Sequence, residues 1–202
     1  TTMTNLAEPV TGAQYLTQLI FGFAPSQMIL AADELQVFTA LKEIGSADAA
    51  TLAGHLQLSH VETVERLLYA LTSYGLLQRD SDGQFSLTEL SRNHLIPGEP
   101  GFLGGFFEHM RRDLFPLWQN LPHAVREAQP QWARIPGGNP AGPFETIYQD
   151  EAGLRSFMQA MFTGTYTASC EHAERFNFGP FTHLCDVGGA TSAFFAAVLP
   201  KY

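Results

Sequence analysis

The stretch that decides the fold is THLCDVGGATSAFF, residues 182–195. Residues 184–187 are a short apolar run of the kind that forms a buried parallel strand. Gly188-Gly189 is a turn that only small residues allow, and residues 192–199 have an apolar helical pattern. A strand, a glycine turn and a helix can present backbone N–H groups to a nucleotide-like ligand. The alternative is a structural turn without a ligand, because such turns are common in α/β proteins.

Size and charge narrow the possible partners. The chain has 202 residues, of which 45% are hydrophobic, enough to bury a core in one or two domains. The formal net charge is −9, and only 11 residues are Lys or Arg. Because binding to nucleic acid needs clustered basic side chains, the sequence predicts no nucleic-acid partner.

The cysteines and the distribution of apolar residues bear on location. Cys170 and Cys185 lack the spacing of a disulfide framework or a metal site, so we expect no metal. Cys185, within the predicted strand, is interpreted as a small core residue in a reducing compartment. Residues 1–9 lack the basic start and apolar run of a signal peptide, and no apolar segment reaches the roughly 18 residues of a membrane span. We therefore expect a cytoplasmic protein that contacts no membrane.

The first helices predicted along the chain are unusually apolar. Helical spacing extends over residues 14–30 and is interrupted by Gly22 and Pro25, while Ser26 is a candidate N-cap for a second piece that reaches residue 41. An apolar stripe this wide usually packs against another subunit or domain. We therefore expect a homodimer formed through these N-terminal helices.

A compact pattern of helix, helix and hairpin follows. Ser46 or Asp48 can cap the first helix and Ser59 the second. The second helix and the two strands that pair around the turn at residues 80–83 are predicted at residues 61–74, 76–79 and 84–87. Helices followed by such a hairpin form a winged helix.

The winged helix often binds DNA, and the charge of its second helix tests that possibility. Arg66 lies there with Glu62 and Glu65, so the helix is net acidic. A reading helix needs polar or basic side chains that reach base edges and phosphates. The winged helix is therefore interpreted as a scaffold or dimerisation module.

Residues 102–118 are crowded with apolar and aromatic side chains. Most of these side chains are expected to face a core, but such a surplus in one helical segment also suits an apolar pocket for a flat ring. His109 is the histidine that lies among them. It is a candidate for substrate contact, and the alternative is a structural histidine. Further helices are predicted at residues 144–148 and 151–166.

Several short stretches match one family in order and spacing over nearly the whole chain. They are GF at 22–23, SQMILAADELQVF at 26–38, LL at 76–77 with the hairpin, FETIY at 144–148, FMQAM at 157–161 and LCDVGG at 184–189. Together they resemble the S-adenosylmethionine-dependent O-methyltransferases of the acetylserotonin and caffeate type, including bacterial small-molecule relatives.

The resemblance implies a mainly α N-terminal part followed by the start of an α/β domain. Residues 1–97 would form a winged-helix dimerisation domain. Residues 98–180 would form a helical connector that supplies part of the substrate pocket. Residues 181–202 would be the first strand and helix of a Rossmann-like methyltransferase domain.

The resemblance also implies which residues bind the ligands. Asp186, Gly188 and Gly189 match the family's first cofactor motif, while Tyr148 and Thr165 match positions that contact S-adenosylmethionine in acetylserotonin-type enzymes. A core tyrosine is the alternative for Tyr148. The stretches that line the acceptor pocket supply the candidate substrate-binding residues His109, Met110, Phe115, Trp118, Met158 and Met161. The general base, a histidine in this family, is expected beyond Tyr202, so the catalytic residue stays unknown.

This chain departs from the family pattern at three positions. Ala190 and Ser192 stand where the family usually has glycines. Alanine is accommodated if its φ is negative, whereas serine could crowd the cofactor or offer it a hydroxyl. Thr165 stands where acetylserotonin-type enzymes place a tryptophan, which puts that contact in question.

The sequence therefore predicts an S-adenosylmethionine-dependent O-methyltransferase that acts on a small aromatic hydroxyl, present here as its N-terminal portion. Because the chain stops just after the first helix of the presumed Rossmann-like domain, we expect a truncated chain or one completed by another polypeptide. The alternatives are a family member that has lost methyl transfer and a non-catalytic dimerisation module.

Overall fold

The computed structural model describes residues 12–149 and 151–202. The chain forms two compact units, one ending at Thr88 and the other beginning at Glu89. Residues 1–9, on which the signal-peptide argument depends, lie outside the described residues.

The first unit combines helices with a small sheet. Its elements are α1 (Ala13–Phe21), α2 (Ala24–Glu34), α3 (Val37–Ile44), β1 (Ser46–Ala47), α4 (Ala49–His55), α5 (Val61–Ser73), β2 (Leu77–Arg79) and β3 (Phe85–Leu87). The predicted interruption after α1 is confirmed, because α1 ends before Gly22. Pro25 lies in the first turn of α2, where its missing N–H leaves no helical bond unmade. Ser26 is inside α2, whose N-cap is Phe23, so its prediction as a cap is wrong.

The sheet has the order β1-β3-β2, and both pairs are antiparallel. The β2–β3 hairpin, with Leu77 opposite Leu87, confirms the predicted hairpin. Its turn is held by Asp80, whose carboxylate accepts hydrogen bonds from the backbone N–H groups of Asp82 and Gln84, both at 2.9 Å. β1 was not predicted, because a two-residue strand has too few residues to show an alternating pattern.

The core of the first unit lies where the helices cover the sheet. α5 buries Val64, Leu68 and Leu71, which repeat at helical spacing. The largest fully buried side chains contributed by this unit are Phe38, Phe85, Leu41, Leu52, Leu68, Leu71, Leu77 and Leu87. The side chains that repeat at helical spacing therefore form the buried face of α5.

The helix caps were predicted with mixed success. Asp48 caps α4, because its carboxylate accepts a 2.8 Å hydrogen bond from the N–H of Thr51. Ser59 does not cap α5: the N-cap is His60, whose side chain makes no capping bond. The first turn of α5 is instead held by the Thr63 hydroxyl, which donates to the carbonyl of His60 at 2.8 Å.

Among the described residues, the regular elements of the second unit are all helices or helical turns. Its elements are α6 (Glu89–His94), α7 (Gly104–His109), a π-helical turn (Met110–Leu114), α8 (Phe115–Gln119), α9 (Leu121–Glu127), a 3₁₀ turn (Trp132–Arg134), α10 (Pro143–Ile147), α11 (Glu151–Arg175) and α12 (Ala193–Val198). The helix predicted at residues 144–148 is confirmed as α10, and α11 extends beyond the predicted 151–166.

The π-helical turn between α7 and α8 has an identifiable cause. Pro116 lies in the first turn of α8 and cannot donate a backbone hydrogen bond. In a regular helix its ring would also meet the carbonyl of Arg112, four residues earlier. The wider turn, closed by the N–H of Phe115 on the carbonyl of Met110, gives the proline ring room.

α11 packs against α7 and α12 and so organises the second unit. The contact with α7 is close at Gly105, where a Cβ would lie 2.6 Å from the carbonyl oxygen of Ser156 and 2.8 Å from the N of Ala160. On α12 the small side chains Ala193 and Ala197 are buried. Small residues therefore set the spacing of these helices.

The prediction of a buried strand at residues 184–187 is wrong. These residues form no strand, and Val187 is 92% exposed. Cys185 is also exposed, so its interpretation as a core residue is wrong as well. A parallel strand needs a neighbour for its hydrogen bonds, and the strands among the described residues all belong to the first unit.

Candidate functional site

The glycine bend before α12 brings together three of the predicted cofactor residues. Gly188 has φ +75°, a conformation that favours glycine, and open space lies where its Cβ would stand. Gly189 lies directly against the carboxyl group of Asp186, with a Cβ position 2.6 Å from the Asp186 Cγ. The Asp186 carboxylate has no hydrogen bond or ion pair with the described residues. The bend thus holds an unengaged carboxylate beside accessible backbone.

Ala190 and Ser192 also adopt left-handed backbone conformations. Their φ values are +40° and +57°, so the condition of a negative φ at Ala190 is not met. Ser192 is the N-cap of α12 but makes no side-chain capping bond; its N–H donates to the Gly189 carbonyl at 2.6 Å. Both residues therefore carry the steric cost that a glycine would avoid at this bend.

An apolar groove lies beside the bend. Its volume is about 340 Å³, and its lining residues are Phe178, Phe181, Thr182, His183, Leu184, Phe195, Val198, Leu199 and Tyr202. Aromatic rings dominate it: Phe178 contacts both Phe194 and Tyr202 with centroids 5.7 Å apart. Its lining residues come from the chain before the bend, up to Leu184, and after it, from Phe195 onward. Asp186, Gly188 and Gly189 themselves do not line it.

Tyr148 and Thr165 lie on different helices, and no hydrogen bond joins either to the bend. Tyr148 ends α10, is half exposed and has its ring 5.6 Å from that of Phe144, so the core-tyrosine alternative is wrong. The Thr165 hydroxyl donates to the carbonyl of Met161 at 2.6 Å, within α11. Its hydroxyl is therefore engaged by its own helix, and it offers no aromatic face in place of a tryptophan.

His109 is the most constrained of the predicted substrate residues. Its side chain is only 10% exposed, and its Nδ1 lies 2.7 Å from Oδ2 of Asp113. Asp113, 1% exposed, also accepts hydrogen bonds from Arg112 at 3.0 and 3.2 Å. The His109 ring meets the ring of Phe157, on α11, edge to face at 5.4 Å. The sequence analysis missed Asp113, although its i, i+4 spacing from His109 was a visible signal.

Trp118 is the most exposed of the predicted substrate residues. It is 65% exposed and lines an apolar crevice of about 270 Å³ with Leu114, Leu117, Leu121, Ala124, Pro130, Gln131 and Trp132. Met110, Phe115, Met158 and Met161 are partly buried and do not line that crevice. The six predicted substrate residues therefore do not form one enclosed pocket within the described part of the chain.

Tyr166, on α11, is a residue with a perturbed hydroxyl that the sequence analysis did not single out. The hydrogen bond with the Cys170 side chain raises the pKa of the Tyr166 hydroxyl above its usual value. The Tyr166 ring stacks on Phe162 at 5.2 Å, with 14° between the planes. Tyr166 and Cys170 are four residues apart, so helical spacing alone brings them together.

Residues 12–149 and 151–202 contain neither a cluster of metal ligands nor a membrane-spanning helix. No group of three or more His, Cys, Asp or Glu side chains in these ranges could hold a metal ion. No helix there combines the length and the apolar character needed to cross a bilayer.

Two models of O-methyltransferase domains match most of the chain. Residues 17–97 match the family model of the O-methyltransferase dimerisation domain, and residues 118–202 match the model of the O-methyltransferase domain. The chain is 31% identical to acetylserotonin O-methyltransferase of Bos taurus, over 95% of this chain and 56% of that protein. It is 30% identical to 3-hydroxy-5-methyl-1-naphthoate 3-O-methyltransferase of Streptomyces sahachiroi, over 88% of this chain and 49% of that protein.

A solved structure agrees with these matches. The crystal structure of human N-acetylserotonin methyltransferase in complex with SAM superposes with a TM-score of 0.83 at 29% identity, covering 96% of this chain and 58% of that one. The chain thus spans about half the length of the relatives it matches.

Proposed function

Because the chain belongs to the O-methyltransferase family, we propose that it acts within an S-adenosylmethionine-dependent enzyme that methylates a hydroxyl of a small aromatic molecule. The observation that carries the proposal is the bend at residues 186–192, where a free carboxylate stands beside open glycine backbone. The relatives support it by name, since one methylates a hydroxynaphthoate and the solved structure binds SAM. The catalytic base is expected outside this chain.

The residues of the bend fit the cofactor chemically. S-adenosylmethionine carries an ammonium group on its methionine portion, and the unengaged Asp186 carboxylate is the matching acceptor. Gly188 leaves room for close approach of the ligand to the backbone. Tyr148, half exposed at the end of α10, can add an aromatic face and a hydroxyl. When bound, the cofactor supplies an electrophilic methyl group; this chain's part is to hold and orient it. Thr165 remains the weakest member of this set, because its hydroxyl is already bonded within α11.

We assign acceptor binding to His109, Met110, Phe115, Trp118, Met158 and Met161. The partly buried members lie on α7, α8, α11 and the π-helical turn, in the unit that also carries the bend. Trp118 lies on a separate crevice and would contribute only if the acceptor extends there. An aromatic acceptor suits a wall made of rings and thioethers.

We also propose that the chain pairs with a second copy through α1. No residue of α1 is buried, and its exposed side chains include Leu16, Leu19, Ile20 and Phe21. An exposed apolar helix in a matched dimerisation domain is best covered by its symmetry mate. Double substitution of Leu16 and Ile20 by Glu should give a monomer in sedimentation, whereas Gln18→Glu on the same helix should leave the dimer intact. A wild-type monomer at micromolar concentration would refute the pairing.

The finer architecture is part of the same proposal. We interpret residues 1–97 as a winged-helix dimerisation domain, 98–180 as a helical connector, and the bend with α12 as the start of a Rossmann-like domain. The net acidic α5 argues against a nucleic-acid partner. We propose a cytoplasmic location on the basis of Cys170 and Cys185, both free thiols.

Two alternatives remain, and one experiment separates all three. A member of the family that has lost methyl transfer is favoured by the strained Ala190 and Ser192, and a non-catalytic dimerisation module by the match of residues 17–97 to the dimerisation-domain model. S-adenosylmethionine is titrated calorimetrically into the chain and into the full-length protein, and phenols are screened for methylation by intact mass. Binding with turnover supports the enzyme. Binding without turnover supports the first alternative, and no binding supports the second.

A further inference from the structure

A buried hydroxyl ties the loop at residues 136–143 to α10, and the proposed methyl transfer does not yet use it. Thr146, in α10, is 9% exposed. Its Oγ1 accepts a hydrogen bond from the backbone N–H of Asn139 at 2.8 Å and donates one to the carbonyl of Gly142 at 2.9 Å. Because an N–H can only donate and a carbonyl can only accept, the direction of both bonds is fixed. One hydroxyl of the helix therefore holds two points of the loop.

Other hydrogen bonds of the loop join near neighbours. The Ala141 N–H donates to the side chain of Asn139 at 2.9 Å, and the Gly142 N–H donates to the Asn139 carbonyl at 3.1 Å. Gly142 is the N-cap of α10, has φ +138° and offers no side-chain cap. These bonds shape the loop itself. The bond from the Asn139 N–H to Thr146 spans seven residues and ties the loop to the helix.

α10 depends on such anchors because it is short. It has five residues, and a helix of that length is not stable in water by itself. Its position is set by the contacts that hold it: the side chain of Ile147, which is 2% exposed, the packing against α11 and the hydroxyl of Thr146. The hydroxyl is the anchor on the side of the loop.

The position of Tyr148 follows from that of α10. Its N–H donates to the Phe144 carbonyl at 2.9 Å and so closes the last turn of the helix. The Tyr148 side chain is half exposed, and its ring neighbour, again Phe144, belongs to the same helix. The ring is therefore placed by the helix that carries it more than by a surrounding core.

We propose that Thr146 is a positioning residue: by tying the loop to α10, its hydroxyl holds Tyr148 where it contacts S-adenosylmethionine. The inference rests on the proposed function, in which Tyr148 offers the cofactor an aromatic face and a hydroxyl. A side chain that is already in place loses less freedom when the ligand binds, so the affinity is higher.

Calorimetric titration of S-adenosylmethionine into the full-length protein tests this role. Thr146→Val keeps the shape of the side chain and removes the hydroxyl, and it should weaken binding by about threefold to tenfold, the value of one hydrogen bond. Thr146→Ser keeps the hydroxyl and should bind like wild type. The control is Thr163→Val, which removes a hydroxyl that donates to the Gln159 carbonyl within α11 at 3.0 Å, and it should also bind like wild type.

A double-mutant cycle separates positioning of Tyr148 from a general loosening of the fold. Tyr148→Ala has no ring to place, so adding Thr146→Val to it should have no further effect on affinity. An equal loss in both backgrounds overturns the inference, as does a folded Thr146→Val that binds like wild type. If Tyr148→Ala itself binds like wild type, the inference fails and the proposed function stands. If wild type does not bind S-adenosylmethionine, both fail.

Amide hydrogen exchange in the wild type tests the hydrogen bond without any substitution. The Asn139 N–H should exchange slowly, and more slowly still with S-adenosylmethionine bound. Exchange at the rate of an unprotected amide overturns the inference, even if Thr146→Val does not fold.

Discussion

Replacing Ala190 by glycine should stabilise the protein, which is the opposite of what this substitution does in a helix. Ala190 is exposed and has φ +40°, in the left-handed region. A residue with a Cβ pays about 1–2 kcal/mol there. Glycine avoids that cost but gives back roughly 0.4–1 kcal/mol through the greater freedom of the unfolded chain. The expected net gain is therefore about 0.5–1 kcal/mol.

The matched control is Ala196→Gly, six residues later. Ala196 is also exposed but lies within α12, where glycine costs about 0.5–1 kcal/mol relative to alanine. The two alanine-to-glycine changes should therefore differ in sign and be separated by about 1–2 kcal/mol. The comparison removes effects of side-chain size, since both variants lose one methyl group from an exposed position.

Urea unfolding followed by circular dichroism measures the global effect. Amide hydrogen exchange at Ser192 measures the local one, because its N–H donates to the Gly189 carbonyl across the bend. Slower exchange in Ala190→Gly, with a higher urea midpoint, is the expected result. If both glycine variants lower the midpoint by similar amounts, the left-handed conformation of Ala190 is not a source of strain, and this reasoning fails.

Three further predictions concern other parts of the fold. Gly105→Ala should lower the free energy of unfolding, measured in urea, by about 1–3 kcal/mol because the new Cβ meets the backbone of α11. Gly164→Ala, on α11 with open space at the Cβ position, should raise it by about 0.5–1 kcal/mol. Leu68→Ala, at a fully buried position of α5, should cost about 2–5 kcal/mol in the same assay. The hydrogen bond from the Thr51 N–H lowers the pKa of Asp48 from its usual value, so its cap contributes fully at neutral pH. Asp48→Ala should lower the thermal midpoint at pH 7, and the difference from wild type should vanish as the pH falls through the folded pKa.

The first unit was the part of the fold that the sequence predicted best. Its helices alternate apolar and polar positions at helical spacing, and the Asp80–Gly83 turn separates two runs that pair as predicted. Errors there were local: the cap at Ser59 lay one residue before the true boundary at His60. Local signals were sufficient because the buried face of each element is encoded within that element.

The second unit was harder to predict because its features depend on distant partners. The run at 184–187 has the composition of a buried strand, but a strand forms only where a neighbour accepts its hydrogen bonds. The positive φ of Ala190 and Ser192 could not be predicted from the residue types, because alanine and serine rarely adopt a positive φ. Asp113, by contrast, was predictable from its spacing to His109 and was overlooked.

The candidate site shows the same division. The sequence identified Asp186, Gly188 and Gly189 as a group, and these lie together because they are neighbours in the chain. The six predicted substrate residues come from several helices, and sequence order does not tell which of them share a wall. Trp118, for example, lines a crevice that none of the other five lines. The roles of all these residues stay predictions until ligand binding is measured.

The contact at Gly105 has a consequence for which acceptors can be accommodated. α7 carries His109 at its end, and α11 carries Phe157 and Met158. Because the two backbones touch where Gly105 has no side chain, the distance between His109 and Phe157 is set by a residue outside the set proposed to bind the acceptor. A single methyl group at position 105 would push α7 and α11 apart, so under the proposed acceptor assignment a mutation at this helix crossing would change which acceptors fit.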